Sequence, residues 1–362
     1  MAAFRRGRIT EIAEATDDIV RGRARLDDGD GEGTDVEVVG FPRMLGPLEV
    51  GHAVVLNTTG LELDLGTGGV AFILWNLDGS GSVEPGPGHI VKLRYTPWQT
   101  EVLTAEAPES EHHDVLAEAI TLDGAPVVAC GLHSQLPAAA AGIKAAQPTA
   151  SVGYLMTDGG ALPLPWSRTV AALRAAGLVD VTCTSGHAFG GDLESVNVFS
   201  GLLALRHAGA ADVICVALGP GVVGTDTRLG FSAIEQGQAL DAATALGGRA
   251  IAALRISFSD LRARHIGISH HTLTALEVAA RDRCAIAVPQ LPPDRMERVM
   301  EQLETSGLGS KHDLVTMDGG PGLRLLGSKG LRPTSMGRSL DDVPELFVAA
   351  AAAGALAGSY LT

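Results

Sequence analysis

The chain has 362 residues and carries 27 Lys and Arg against 42 Asp and Glu, a formal net charge of −15. Two domains are expected at this length, each large enough to bury its own core. The acidic balance and the lack of a visible basic face disfavour nucleic acid and anionic membranes as partners.

Three features predict a cytoplasmic location. The basic stretch MAAFRRGRIT is followed by acidic EIAEATDDIV, without the apolar region of a secretion signal. The four cysteines form no C-x-x-C pair and lie in or at the end of apolar runs, which is typical of buried free thiols in a reducing compartment. The apolar tail from Leu346 to Leu361 is too short and alanine-rich to span a membrane, and predicts a small-residue helix packed on the body or on a second subunit.

Residues 1–105 predict a small all-β domain, a barrel or a sandwich. Short apolar or alternating runs are separated by glycine-rich turns such as DDGDGEG and DLGTGG. Six strands are expected, within the segments 6–15, 18–26, 34–41, 52–59, 70–77 and 88–96. A linker rich in charged and small residues is expected at 106–124.

Residues 125–362 predict an α/β domain with a Rossmann-like, doubly wound and mostly parallel sheet. Near-continuous apolar runs of strand length alternate with alanine-rich stretches of helical length. The expected strands are Pro126–Cys130, Val152–Met156, Val179–Thr182, Val213–Leu218, Ala250–Ile256, Ala285–Val288 and Asp313–Met317. The expected helices include 166–176, 195–208, 232–246, 272–283, 293–306 and 343–358. An eight-stranded β/α barrel is the second choice, because only seven strands are found.

The loops that follow these strands predict a shared binding crevice. Ligands of open parallel sheets bind beyond the carboxyl ends of the strands. Nearly every such loop here combines glycines with a hydroxyl, a carboxylate or a histidine. The alternative is that a glycine-rich chain places glycine in every loop. The residues that we expect to contact substrate or an anion are Gly219, Gly221, Gly224, Thr225, Asp226, Asp158, Asp192 and Ser185.

The stretch ICVALGPGVVGTDTRLG contains a partial dinucleotide-binding fingerprint. Gly219, Gly221 and Gly224 match G-x-G-x-x-G directly after an expected strand. However, the next helix is expected only from Ser232. The first acidic residue beyond the next expected strand, Asp260, also lies farther from the glycines than the roughly 20 residues of a ribose-binding acid. A wider anion-binding loop that uses backbone N–H groups is therefore favoured over dinucleotide binding. For Thr225 and Asp226, ordinary capping within the loop is the competing interpretation.

Four histidines at strand ends are the candidates for acid–base catalysis: His133, His187, His270 and His271. The last two are expected at the start of a helix, where the helix dipole favours a neutral imidazole. Adjacent helical residues point about 100° apart, so we expect only one of this pair to face the crevice and no shared metal between them. For each histidine a structural hydrogen-bonded role is the alternative.

Carboxylates and a cysteine give weaker predictions. Asp158 and Asp318 stand in two D-G-G turns and would hold a divalent cation if the fold brought them together. Asp192 and Glu194 precede an expected helix, so capping explains one of them. Cys183 is a candidate nucleophile, with buried packing as the favoured alternative. G-x-S-x-G, P-loop and H-E-x-x-H motifs are not found.

The blocks GHAFGGDLE, LGPGVVGT and GISHHTLTAL, after a barrel-like segment with LGTGG, give a resemblance over nearly the full length. The chain resembles a bacterial family of unknown function from Gram-positive lineages. The resemblance implies a cytoplasmic protein and gives no activity, cofactor or site residue.

Three functions therefore remain open. The first is an enzyme that acts on a small polar or anionic metabolite with histidine acid–base chemistry. The second is a non-catalytic metabolite sensor or assembly protein, and the third is an NAD(P)-dependent oxidoreductase. A homodimer is expected for each of them.

Overall fold

The computed structural model describes residues 2–27, 33–63, 69–79 and 86–361. The segments 28–32, 64–68 and 80–85, which include most of the LGTGG block, lie outside the described residues. The chain divides into two compact units, one of residues 1–87 and 93–101 and one of residues 88–92 and 102–362.

The first unit contains a closed five-stranded β-barrel with strand order β1-β2-β3-β5-β4. Its elements are β1 (Phe4–Ala15), β2 (Val20–Leu26), β3 (Asp35–Gly40), α1 (Pro42–Leu45), β4 (Ala53–Asn57), α2 (Thr59–Glu62) and β5 (Val70–Asn76). Strand β1 pairs with both β2 and β4, and parallel pairing of β3 with β5 completes the barrel. Inward-facing aliphatic residues such as Ile9, Val54 and Leu56 form its core.

The sixth strand expected in this unit is not part of the barrel. The chain passes from the first unit to the second along β6 (Ile90–Lys92) and β7 (Thr100–Val102). Residues 88–92 belong to the second unit, because Lys92 is anchored there by an ion pair to Glu194, 2.6 Å from Nζ to Oε2.

The second unit contains an eight-stranded, all-parallel sheet with helices on both faces, which confirms the predicted α/β class. The strand order is β11-β10-β9-β12-β8-β13-β16-β17. Its strands are β8 (Pro126–Cys130), β9 (Val152–Thr157), β10 (Val181–Thr184), β11 (Leu193–Glu194), β12 (Val213–Leu218), β13 (Arg249–Ala253), β16 (Ala285–Pro289) and β17 (Asp313–Met317). A small antiparallel pair, β14 (Ile256–Ser257) and β15 (Gly267–Ile268), follows β13.

The helices of this unit cover two separate hydrophobic cores, one on each face of the sheet. They are α3 (His113–Glu118), α4 (Leu136–Ala146), α5 (Arg168–Ala175), α6 (Val198–Leu203), α7 (Glu235–Ala245), α8 (His270–Thr274), α9 (Pro293–Thr305), α10 (Leu308–Lys311), α11 (Gly320–Ser328) and α12 (Pro344–Ser359). Along β8, Val128 and Cys130 face one core, whereas Val127 and Ala129 face the other. This alternation explains why the strand reads as a continuous apolar run.

Two of the longer helices, α4 and α11, lie outside the predicted set, as do the short helices α3 and α10. Helices α4 and α11 both contain proline and glycine, which lower helix propensity. In α4 the proline stands in the first turn, where it is tolerated, and Gly142 lies against the backbone of α12. The predicted strand 250–256 is also interrupted, because β13 ends at Ala253 and Ile256 begins the small antiparallel pair.

The predicted tail helix is confirmed as α12, which is buried along most of its length against α4. Its small residues therefore make their close contacts within this unit. Among the described residues, no helix is long and apolar enough to cross a membrane. The four cysteines are free and buried.

Candidate functional site

The carboxyl ends of the parallel strands bring three groups of predicted site residues to one edge of the sheet. The chain reverses its direction of winding beside β8, because the connection from β8 leads towards β9 and the connection from β12 leads across β8 to β13. Such reversal points are where open α/β sheets leave a crevice for ligands. Strands β8, β9, β12 and β13 therefore end around the candidate site.

The most compact group of chemically active side chains is a cluster of His265, His270 and His271. His265 ends a short 3-10 turn, and Ser269 caps α8 so that the next two residues form its first turn. The ring centroid of His265 lies 5.0 Å from the ring centroid of each of the other two histidines, and the centroids of His270 and His271 are 4.2 Å apart. Both adjacent histidines thus face the same point, contrary to the expectation from helical geometry.

His265 makes this convergence possible, because it approaches from the loop before α8. The expectation for the adjacent pair assumed two side chains that diverge from one helix. Here they flank a third ring, and Phe231 stacks on His271 with centroids 4.2 Å apart. The Nε2 atoms of all three histidines are buried and have no hydrogen-bond partner among the described residues.

All three histidines of the cluster favour the neutral imidazole. Burial is the largest cause, and it lowers the pKa of His265 to about 4 and that of His271 to about 3. Burial also lowers the pKa of His270, and positive charge on neighbouring arginines contributes in each case. At neutral pH the cluster therefore offers unprotonated imidazole nitrogens.

Arginines surround the histidine cluster. Arg255 is 8% exposed, and its Nη1 lies 3.4 Å from Nδ1 of His271. Arg264 pairs with Asp226, and Arg262 pairs with Asp260 at 3.0 Å. Among the described residues no ion pair to Arg255 is found. A buried guanidinium without a carboxylate is costly to desolvate, which favours an anion as its partner.

The loop from Gly219 to Ser232 lies over this cluster but does not have the geometry of a dinucleotide fingerprint. A Cβ on Gly224 would lie 3.3 Å from Cε1 of His271, so the loop backbone lies against that ring. The loop folds back on itself, with a bridge between Gly224 and Phe231 and a hydrogen bond of 2.7 Å from the Thr225 N–H to the Gly230 carbonyl. The helix therefore starts beyond the hairpin and not at the third glycine.

Close packing explains Gly219. A Cβ there would lie 2.2 Å from the carbonyl oxygen of Ala161, and the N–H of Ala161 donates to Pro220 at 2.7 Å. Gly221 has a φ of 102°, a backbone conformation that glycine adopts without strain. The hydroxyl of Thr225 accepts a hydrogen bond from the Thr227 N–H at 3.3 Å. Packing, backbone conformation and hydrogen bonds within the loop thus explain these glycines and Thr225.

The end of β9 holds a pair of carboxylates, Asp158 and Glu235. Thr157 donates a short hydrogen bond to Glu235, and Asp158 accepts the backbone N–H of His187 at 2.9 Å. Burial of Glu235, helped by the charge on Asp158, raises the pKa of Glu235 to about 7. Ser185, two residues before His187, is buried, and its N–H donates to the carbonyl of Met156 at 3.0 Å. A carboxyl with this pKa suits proton transfer at neutral pH.

His133 is fully engaged in a buried network. Its Nδ1 lies 3.1 Å from the hydroxyl of Tyr154, and its Nε2 lies 2.7 Å from that of Ser167, which also caps α5. Burial lowers the pKa of His133 to about 4. This arrangement favours the structural alternative for His133.

The remaining predicted carboxylates are dispersed. Asp192 accepts hydrogen bonds of 2.9 Å from the N–H and the hydroxyl of Thr182 and pairs with Arg174, whereas Asn197 caps α6. Asp318 accepts the N–H of Gly320 at 2.8 Å in its own turn. Strands β9 and β17 are five strand spacings apart, about 24 Å, so the sheet does not bring Asp158 and Asp318 together.

Cys183 lies within β10 and is buried, which favours packing over a nucleophilic role. Burial raises its pKa to about 12. Its Sγ faces the hydroxyl of Ser195 at 3.5 Å.

Three residues of the site, Arg255, Glu235 and His265, are absent from the candidates that the sequence predicted. Glu235 stands three residues after Ser232 in a capping pattern, which gave it a structural explanation. Arg255 lies within the predicted strand Ala250–Ile256, and a charged residue in this apolar run was the available signal.

The fold and site define an α/β protein with a barrel-containing first unit and a histidine–arginine cluster at the carboxyl edge of a parallel sheet. Residues 37–354 match the family model described as "Protein of unknown function (DUF3866)", and the chain belongs to this family. No curated protein and no solved structure matches the chain.

Proposed function

We propose that the protein is an enzyme that acts on a small anionic metabolite bound at the carboxyl edge of the parallel sheet. The observation that carries this proposal is the buried Arg255 beside three neutral imidazoles. The proposal keeps the substrate class expected from the sequence and assigns anion binding to Arg255 in addition to the backbone of the Gly219–Gly224 loop.

Arg255 stays charged at neutral pH. Burial lowers its pKa to about 10, which is still well above the pH of a cell. Asp260, the acidic group that opposes this shift, is itself held by Arg262 and lies 3.7 Å from Arg338. The positive charges around the cluster therefore exceed the negative ones, which supports an anionic ligand.

Glu235 is the group that we assign to proton transfer. Its pKa of about 7 lies near the operating pH, whereas the histidines with pKa values of about 4 and 3 are weak bases. Gln236, the next residue of α7, donates to the carbonyls of Ala129 and Ala253 at 2.8 and 2.9 Å. The start of α7 is thereby fixed to the ends of β8 and β13, from which Arg255 follows.

Histidine acid–base chemistry is the second candidate. It is favoured by the Nε2 atoms of His270 and His271, which have no hydrogen-bond partner within the described part of the chain and would face a ligand bound under the Gly224 backbone. A non-catalytic sensor would use the same pocket without turnover. The NAD(P) alternative loses its main support, because the glycine loop is a hairpin.

Binding of simple anions tests the proposal. Inorganic phosphate and malonate are titrated calorimetrically into the full chain and into Arg255→Gln. We expect binding by the wild type and at least about a tenfold loss in the variant, since one charge-assisted contact contributes about 1.5–3 kcal/mol. Arg174→Gln, which removes an arginine paired with Asp192, is the matched control. Equal affinity in Arg255→Gln would overturn the assignment.

Turnover separates the enzyme from the sensor. Phosphorylated and carboxylated metabolites are incubated with the chain and followed by NMR. We expect one of them to be converted by the wild type and bound unchanged by Glu235→Gln. Conversion at the wild-type rate by that variant, with loss in His270→Gln or His271→Gln, would favour the histidine mechanism.

Location and assembly stay proposals as well. A cytoplasmic location is supported by the four free, buried cysteines. A homodimer is still expected, although the small residues of α12 contact α4 of the same chain.

A further inference from the structure

We propose that His265, His270 and His271 bind one divalent transition-metal ion, of the kind of Zn²⁺, through their Nε2 atoms. This inference goes beyond the proposed function and does not depend on it, since an ion at this place would bind whether or not the protein is a catalyst.

The first argument is geometric. One ligand nitrogen from each of the three histidines lies within 4.8 Å of the other two. Zn–N bonds of about 2.0–2.1 Å place tetrahedral nitrogen ligands about 3.4 Å apart, so small rotations of the imidazoles close the site. Three protein ligands leave a further position open for water or an anion, as in catalytic zinc sites.

The second argument is the unsatisfied state of the three Nε2 atoms. His265 and His271 are 1% and 7% exposed, and each leaves a buried Nε2 without a hydrogen-bond partner among the described residues. Buried polar atoms are otherwise nearly always partnered, and three such atoms in one cluster require a common explanation.

Other buried histidines of this chain show the contrast. His133 uses one ring nitrogen on Tyr154 and the other on Ser167. His312 likewise has its Nδ1 3.3 Å from the Cys284 N–H and its Nε2 3.0 Å from the Leu276 carbonyl. These two structural histidines therefore have partners at both ring nitrogens, whereas each clustered histidine has an Nε2 without a partner in the described residues.

The third argument is the chemistry of the ligands. Neutral imidazole suits zinc, cobalt, nickel and iron, whereas magnesium and calcium prefer oxygen. The nearby carboxylates of Asp226 and Asp260 are held by Arg264 and Arg262, so the cluster presents nitrogen alone.

Contacts beyond the three rings determine how the ion would be held. The hydroxyl of Ser269 lies 2.7 Å from Nδ1 of His265, a contact that fixes the orientation of this ring. A metal ion on Nε2 of His271 places the proton of that ring on Nδ1, so the 3.4 Å contact from Arg255 would have to open. The released guanidinium would then face an anion that completes the metal site.

Metal titration of the chelator-treated full chain tests this inference. Co²⁺ is followed by its visible absorption and Zn²⁺ by competition, with no metabolite present. We expect one ion per chain, the absorption bands of tetrahedral cobalt, and no comparable binding of Mg²⁺. His270→Gln and His271→Gln are expected to weaken binding by more than about 100-fold, since even indirect partners of metal ligands cost 10–100-fold.

Controls separate metal binding from folding. His207→Gln changes a histidine whose Nε2 contacts the Thr121 carbonyl at 2.8 Å, and it should bind Co²⁺ as the wild type does. Half-buried His270 is the safest position if His271→Gln unfolds, which thermal denaturation reports. Unchanged Co²⁺ affinity in folded His270→Gln, or no binding by the wild type at millimolar Co²⁺, would overturn the proposal without bearing on phosphate binding at Arg255.

Discussion

A Cβ atom on Gly354 would lie 1.9 Å from the carbonyl oxygen of Ala139, so helices α12 and α4 meet there with their backbones in contact. Gly142 makes the reciprocal contact, because its Cβ would lie 2.1 Å from the carbonyl oxygen of Ala351. Glycine on both helices thus sets their separation.

Gly354→Ala is therefore expected to destabilise the chain. Overpacking at a backbone contact lowers the free energy of unfolding by about 1–3 kcal/mol. Gly327→Ala in α11 is the matched control, because a Cβ there meets nothing within 4 Å and alanine favours the helix by about 0.5–1 kcal/mol. Urea denaturation measures both variants, and equal effects of the two would contradict the close contact.

Lys92 and Glu194 form a buried ion pair whose loss should be costly. Lys92→Met leaves the Glu194 carboxylate without its cation in a site where the lysine is 1% exposed. We expect the free energy of unfolding to fall by about 3–5 kcal/mol. Lys144→Met, which breaks a pair with the more exposed Asp180, should cost about 0–1 kcal/mol. Similar losses in both variants would show that burial of Lys92 does not govern its contribution.

Glu235 should make stability depend on pH. Its folded pKa of about 7 lies above the ordinary value of 4.5, so the folded chain binds this proton more tightly than the unfolded chain. The resulting stabilisation is complete below about pH 4.5 and is lost as the pH rises towards 7. Glu235→Gln should remove this dependence, measured by urea denaturation at several pH values.

The neighbouring carboxylate provides a second check on Glu235. Asp158→Asn removes a charge that raises the pKa of Glu235, so the pH-dependent loss of stability should move to lower pH. Glu304→Gln, an exposed change on α9, should leave the profile unaltered. A Glu235→Gln profile that parallels the wild type would contradict the raised pKa.

Alanine substitutions at Gly219 and Gly224 should lower the free energy of unfolding by different amounts. Gly219→Ala places a Cβ 2.2 Å from the Ala161 carbonyl, and we expect a loss of about 1–3 kcal/mol. Gly224→Ala places a Cβ 3.3 Å from the nearest atom, Cε1 of His271, and should cost less. The fluorescence of NADH, at millimolar concentration, should not change when the wild-type chain is added. An increase abolished by Gly219→Ala would restore the dinucleotide interpretation.

The cysteines should be inert in the folded chain. Burial raises the pKa of Cys130 and Cys284 to about 12, and all four thiols are buried. A thiol-specific chromogenic reagent should therefore titrate none of them before unfolding and all of them afterwards. Rapid reaction of the native chain would show that one of these side chains is accessible.

The periodicity of the sequence was sufficient to predict the class of fold. Buried parallel strands such as Val213–Leu218 are continuous apolar runs, and the observed strand has the predicted bounds. Helices α4 and α11 escaped prediction, because their glycines and prolines serve packing and helix starts that only the tertiary structure reveals.

The sequence was sufficient to predict which loops carry the candidate site, but not which side chains meet there. The pattern of strand ends directs attention to the loops that carry His270 and His271, which lie together in the structure. The convergence of His265 with them depends on the path of the loop after β13, which no local pattern encodes. The separation of Asp158 from Asp318 depends on strand order, and sequence spacing carries no information about it.

The position of β8 has a consequence for how the chain reaches its folded state. This strand pairs with β12 and β13 and with neither of the strands that are adjacent to it along the chain. A ribosome-bound chain that ends before residue 213 therefore exposes both hydrogen-bonding edges of an apolar strand. The centre of this sheet therefore cannot close before β12 and β13 have been synthesised, and until then β8 is an apolar strand with two open edges that can pair with another molecule.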